Sequence, residues 1–155
     1  MATKIGLGVP MPLLAPVSAA WAAPFAFYYL FLQNRVVFHR LSNKAYMGHS
    51  TDTSKTGNDV KDPLYVANRA QVNFIENVPI AFIIAILAEL NGANRKYIGY
   101  GLGALFALRV SHVEFGMMTE GSLGTGRPVG YYGTQAVMAA AAGYLAYLVK
   151  DYWQI

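Results

Sequence analysis

Arg69, Asn73 and Glu76 stand at i, i+4 and i+7. On a helix that spacing projects all three from one face. A guanidinium, an amide and a carboxylate then share one stripe, beside a long apolar run that ends at Asn91. Arg109 and His112 form a second pair at i and i+3, also on one face. Arg35 follows one apolar stretch and Arg127 precedes another. Guanidiniums hold carboxylates through two parallel N–H bonds. Glu76 can accept from an ammonium or an amide N–H, and Asn73 can both donate and accept. Collected at one place, these groups form a receptor for a small, flexible ligand bearing carboxylates and an amine, such as a short peptide. A cation beside a thiol also stabilises the thiolate.

Other chemistries lack their residues. There is no cysteine, so no disulfide framework, no thiolate-ligated zinc and no cysteine nucleophile. His39, His49 and His112 show no metal-ligand spacing. Ser111 and Ser122 have no His–Asp arrangement to activate them. Gly99, Gly101 and Gly103 lie in an apolar helical stretch with no preceding strand, so they read as a close-packing surface rather than a nucleotide fingerprint. Tyr28, Tyr29, Tyr131 and Tyr132 fall near helix ends, where interfacial anchoring is the default role and a hydrogen bond donated by one of them to a bound sulfur is the alternative. Glu89 and Glu114 read as interface or intersubunit pairing groups.

The elements that must position these residues follow from composition. Only 13% of the 155 residues are charged and 55% are hydrophobic, against about 25% charged in soluble domains. The mean hydropathy is +0.31. These values place the chain among integral membrane proteins of one domain. The fold class expected is all-α, a membrane-embedded four-helix bundle. Leu13 to Gln33 carries no charge and is long enough to span. It reads as an uncleaved anchor rather than a signal peptide, because the apolar run continues past Ala19–Ala23. The helices are expected at about 13–41, 64–91, 95–119 and 127–150, with an irregular lead-in over 1–12 and a polar loop over 42–63. Asp62-Pro63 marks the start of the second helix and Asn91-Gly92 a tight turn after it.

Charge sets the expected topology. Arg35, Arg40, Lys44, Lys55, Lys61, Arg69 and Arg127 fall on the side of the long loop, against Lys4, Arg95, Lys96 and Lys150 on the other. The excess puts the long loop in the cytoplasm and both termini across the membrane. The net charge of +4 suits loop charge on a membrane protein and gives no nucleic-acid surface. Arg35, Arg69, Asn73, Glu76, Arg109, His112 and Arg127 then converge at one depth, where ionisable groups mark a site by default.

These residues resemble the MAPEG superfamily, membrane-associated proteins in eicosanoid and glutathione metabolism. The segment from Arg69 to Pro79 is similar to the R-x-x-x-N-x-x-E-x-x-P signature that opens the second of four helices. Glu89 to Gly92 closes that helix in the family's manner. Arg109 to His112 resembles the third-helix R-x-x-H element, and Arg127 to Gly130 the start of the fourth. Some positions differ. Gly116 stands where several members have Tyr, Gln71 and Val72 where some have His and Arg, and Gly130 and Tyr131 where an arginine is common.

The resemblance implies a homotrimer that binds glutathione between neighbouring subunits at the cytoplasmic side. By position, Arg69, Asn73 and Glu76 bind glutathione, and Arg35 reaches it from the other wall of the cleft. Arg109 and His112 support the pocket, and Arg127 stabilises the thiolate as the catalytic group. No metal is implied. The expected activity is a glutathione transferase or peroxidase acting on lipophilic electrophiles or lipid hydroperoxides that arrive from membrane lipid. In a eukaryote this implies the endoplasmic reticulum or the mitochondrial outer membrane. The alternative is a structural or regulatory membrane subunit that keeps the fold without the chemistry.

Overall fold

The computed structural model describes residues 3–4, 10–11, 13–47 and 62–153. Four α-helices make up the bundle: α1 (Pro16–Ser42), α2 (Pro63–Leu90), α3 (Arg95–His112) and α4 (Gly126–Leu148). Before them, Thr3–Lys4 pairs antiparallel with Pro10–Met11, a minimal bridge where an irregular lead-in was expected. Most of the expected polar loop, residues 48–61, lies outside the described residues.

Local chemistry explains most of the boundaries. Asp62 caps α2, its Oδ1 accepting from the Leu64 N–H at 2.9 Å, and Pro63 fills the first helical position. Gly92 takes φ +86°, the left-handed conformation that a tight helix-to-helix turn requires of a residue without Cβ. Asn94 then caps α3 by accepting from the Lys96 N–H at 2.9 Å. The third helix does not run unbroken to its expected end. After His112 the backbone loosens into a π-helical turn, Val113–Met117, closed by the Met118 N–H on the Val113 carbonyl at 2.9 Å. Such turns are often found at functional sites.

The start of α1 is held from a distance. Ala15, at its N-cap, offers no side-chain hydrogen bond. Glu89, in the last turn of α2, supplies the cap instead. Its carboxylate accepts from the N–H groups of Val17 and Ser18 at 2.9 Å each and from the Ser18 hydroxyl at 2.7 Å. A carboxylate at a helix N-terminus meets both the free N–H groups and the positive end of the helix dipole. Arg95 lies 3.9 Å from the same carboxylate. Glu89 therefore closes a contact inside the chain, where the sequence pointed to an interface.

The helices bury a narrow stripe and expose the rest. On α2 the buried positions are Ala67, Ala70, Phe74, Val78, Ala81, Ala85 and Ala88, spaced by three and four. Small residues on this stripe let the other helices approach closely. Aromatic rings fill the centre: Phe25 meets Phe82 at 4.8 Å and Phe106 at 5.2 Å, both edge-on. Of the three glycines expected to pack closely on α3, only Gly103 has a crowded neighbour, the Trp21 ring. The tightest helix contacts lie elsewhere, at Gly116, Gly124, Gly126, Gly130 and Gly133, where α4 and the turn before it press on α3 and the π turn.

Outside the stripe, Phe27, Phe38, Ile80, Ile83, Leu87, Tyr100 and Tyr132 are exposed on different helices. Apolar surface this extensive is foreign to a soluble monomer. Among the described residues, α2 is the one helix both long and apolar enough to cross a membrane. Its 28 residues reach about 42 Å at about 1.5 Å per residue, beyond the hydrocarbon core of about 30 Å.

Glu89→Ala removes all three hydrogen bonds at the start of α1 and leaves one buried and one half-buried N–H group bare. It is expected to cost about 2–4 kcal/mol. Thermal melting in detergent reads this as a lower Tm, with Glu89→Gln falling between the variant and the wild type.

Candidate functional site

A cleft of about 640 Å³ opens at the end of the bundle where α1 stops and α2 begins. One wall comes from the first turns of α2 (Tyr65, Val66, Arg69, Asn73). His112 and Met117, flanking and ending the π turn, form the floor, followed by Ser122 and Leu123. The first turns of α4 close it with Arg127, Pro128, Tyr131 and Tyr132. Charged and amide groups share the cleft with aromatic and aliphatic ones, so it suits an amphipathic ligand. Its size lies within the usual range of small-molecule sites, about 300–1,000 Å³.

Four of the seven residues singled out in the sequence, Arg69, Asn73, His112 and Arg127, line this cleft together. The other three do not. Arg109 lies behind the wall, only 2% exposed. Its Nη1 donates to Asn73 Oδ1 at 2.9 Å, and its Nη2 donates to the Gly130 carbonyl. Arg109 thus ties α3 to both α2 and α4. Arg35 leaves α1 on a different side and pairs with Glu114, its Nη2 lying 3.0 Å from each carboxylate oxygen. Tyr28 donates its hydroxyl to the same carboxylate at 3.0 Å. Glu76 is exposed on α2 outside the lining. Neither Arg69 nor Glu76 forms an ion pair among the described residues.

The orientation of His112 follows from its partner. Its Nδ1 is 2.9 Å from the Arg127 carbonyl. A carbonyl only accepts, so Nδ1 carries the proton and Nε2 is the acceptor of the neutral ring. Arg127 is held at the first turn of α4, where its Nη1 donates to the Ser122 carbonyl at 3.0 Å. Ser122 is itself fixed by its hydroxyl on the Met117 carbonyl at 2.9 Å. The π turn, the short turn after it and the start of α4 form one braced unit around Arg127.

Tyr65, Ser122, Glu114 and Tyr28 were not assigned to the site or to its support from the sequence. One signal was available for the last two. Tyr28 and Arg35 are seven residues apart on α1 and share a face, so a single acidic partner near the same depth was to be expected.

A match to the MAPEG family covers residues 18–147 of the 155. The chain belongs to the MAPEG family. No curated protein and no solved structure matches it. Membership places the chain among membrane proteins of eicosanoid and glutathione metabolism, and the observed four-helix architecture agrees. A Cβ at Gly116 would lie 2.5 Å from the Arg127 backbone nitrogen and 2.8 Å from its Cα. The glycine is what lets the start of α4 sit directly on the π turn.

Gly116→Ala is expected to push Arg127 outward and to destabilise the bundle by about 1–3 kcal/mol through overpacking. Gly116→Tyr should be worse. Melting curves of the two variants in detergent test the order; a Gly116→Tyr protein as stable as the wild type would contradict it.

Proposed function

We propose that this chain is a membrane glutathione transferase or peroxidase, with the cleft between α2 and α4 as its glutathione site. The observation that carries the reading is the convergence of Arg69, Asn73, His112 and Arg127 on one cleft. Glutathione brings two carboxylates, an ammonium and the thiol nucleophile. Two exposed guanidiniums suit the carboxylates. Among the described residues no acidic side chain lines the cleft, so the ammonium is assigned to Glu76, one turn of α2 beyond Asn73, or to a neighbouring subunit. Arg35 would then be the residue a neighbour contributes, as the family's trimer implies.

Arg127 is the catalytic candidate. Its cation, together with the N-terminus of α4, favours a thiolate over a thiol at the mouth of the cleft. Val66, Met117, Leu123 and Pro128 give the same cleft an apolar side. That side would receive a lipophilic electrophile or lipid hydroperoxide from the bilayer, with the loop-bearing end of a multi-pass chain in the cytoplasm. An isomerase of lipid peroxides that uses glutathione without consuming it would need the same groups.

A second reading is a non-catalytic membrane subunit that retains the fold. Arg35 and Arg109 favour it, because each already donates hydrogen bonds inside the chain.

The two readings separate on one measurement. Purified wild-type protein should bind glutathione at millimolar concentration, form thiolate seen by ultraviolet absorbance, and conjugate a model aryl halide. Arg127→Ala should lower thiolate and turnover roughly tenfold or more at neutral pH, since each pKa unit on the thiol is about a factor of ten. Absence of glutathione binding by the wild type would leave the subunit reading.

A further inference from the structure

Arg109 is a buried cation without an anion. It is 2% exposed, and its two hydrogen bonds go to neutral oxygens, Asn73 Oδ1 and the Gly130 carbonyl. Its Nε is buried and has no partner. Among the described residues no carboxylate pairs with it. A guanidinium has donors only, so the Asn73 atom that faces it has to be the oxygen. The amide is planar, and its Nδ2 is therefore turned away from Arg109. Asn73 lines the cleft, and no hydrogen bond engages its Nδ2 among the described residues. The backbone of the same residue is also fixed, its carbonyl accepting from Asn77 Nδ2 at 2.8 Å.

We infer that Arg109 is a positioning residue that locks Asn73 as a hydrogen-bond donor to the ligand. The buried guanidinium holds the amide oxygen inward, which leaves the Nδ2 hydrogens as the group Asn73 offers a ligand. The subsite at Asn73 therefore takes an acceptor group, a carboxylate or amide carbonyl, and rejects an ammonium. The inference rests on the cleft being the glutathione site. It assigns the ligand's orientation there: a carbonyl or carboxylate oxygen at Asn73, with the amine elsewhere. The polarisation runs in one direction, from the buried charge through the amide to the ligand, and hydrogen bonds in such a chain strengthen one another.

The Asn73→Asp and Asn73→Leu variants test this by moving stability and binding in different ways. Asp supplies Arg109 with the missing anion, so its Tm in detergent should rise by roughly 2 °C or more. Leu removes the oxygen that Arg109 uses, so its Tm should fall by a similar amount or more. Both variants lack the donor and should weaken glutathione, measured by calorimetry, by roughly tenfold or more. A merely structural Asn73 would make binding follow Tm, and Asp would then bind at least as well as the wild type. That result, or a lower Tm for Asp, overturns the inference. If the wild type itself binds no glutathione, the ligand assignment falls and the inference's ligand orientation falls with it. The opposite Tm shifts still decide whether Arg109 faces the Asn73 oxygen.

Discussion

The site depends on one guanidinium. Arg109 reaches from α3 to a side chain on α2 and to the backbone of α4, and so fixes the three helices that enclose the cleft. A buried charge of this kind is tolerated only where hydrogen bonds compensate for lost water. Here they come from an amide and a main-chain carbonyl. The compensation demands that α4 come close, and Gly130 permits it: a Cβ at that position would collide with the Cβ of His112. The glycines of the α3–α4 contact and the cation are parts of one arrangement. Move α4 away and Arg109 loses an acceptor; enlarge Arg109's surroundings and α4 cannot approach.

Around that junction the polar residues divide into two groups. One lines the cleft: Arg69, Asn73, His112 and Arg127. The other is turned inward and bonded within the chain: Tyr28, Arg35 and Glu114, and Arg109. Residues of the second group maintain the geometry of the first. Glu114 does so directly, because it lies in the π turn two residues after His112 and is anchored to α1 by Arg35 and Tyr28. The ion pair itself is partly solvated, with side chains 18% and 29% exposed. Its value lies in position more than in energy, since pairs with this exposure contribute roughly 1 kcal/mol or less.

What the sequence revealed, and what it did not, follows the reach of each interaction. Asp62-Pro63 and Asn91-Gly92 were legible because a cap and a turn are decided within four residues. The face shared by Arg69 and Asn73 was legible from helical spacing. A shared level was expected for Arg35, Arg109 and Arg127, whose hydrogen bonds go to Glu114, to Asn73 and Gly130, and to Ser122. Azimuth was not legible. The spacing of Tyr28 and Arg35 points to an acidic partner, but not to Glu114 in particular, nor to Arg109 turning inward, because that depends on how helices rotate against one another. The π turn escaped for the same reason, as its extra residue is set by packing on α4. Small residues misled in one place: Gly101 looked like a close-packing position, yet open space lies where its Cβ would be.

The clamp at Glu89 has a consequence for how the bundle is made. The residues it joins, Val17 and Ser18, are separated from it by 72 and 71 positions. In a chain synthesised from its N-terminus, the first turn of α1 exists long before the carboxylate that caps it. Until the end of α2 emerges, that turn carries exposed N–H groups and no cap. Completion of the first helix therefore waits for the end of the second, and α1 and α2 mature as one unit rather than in succession.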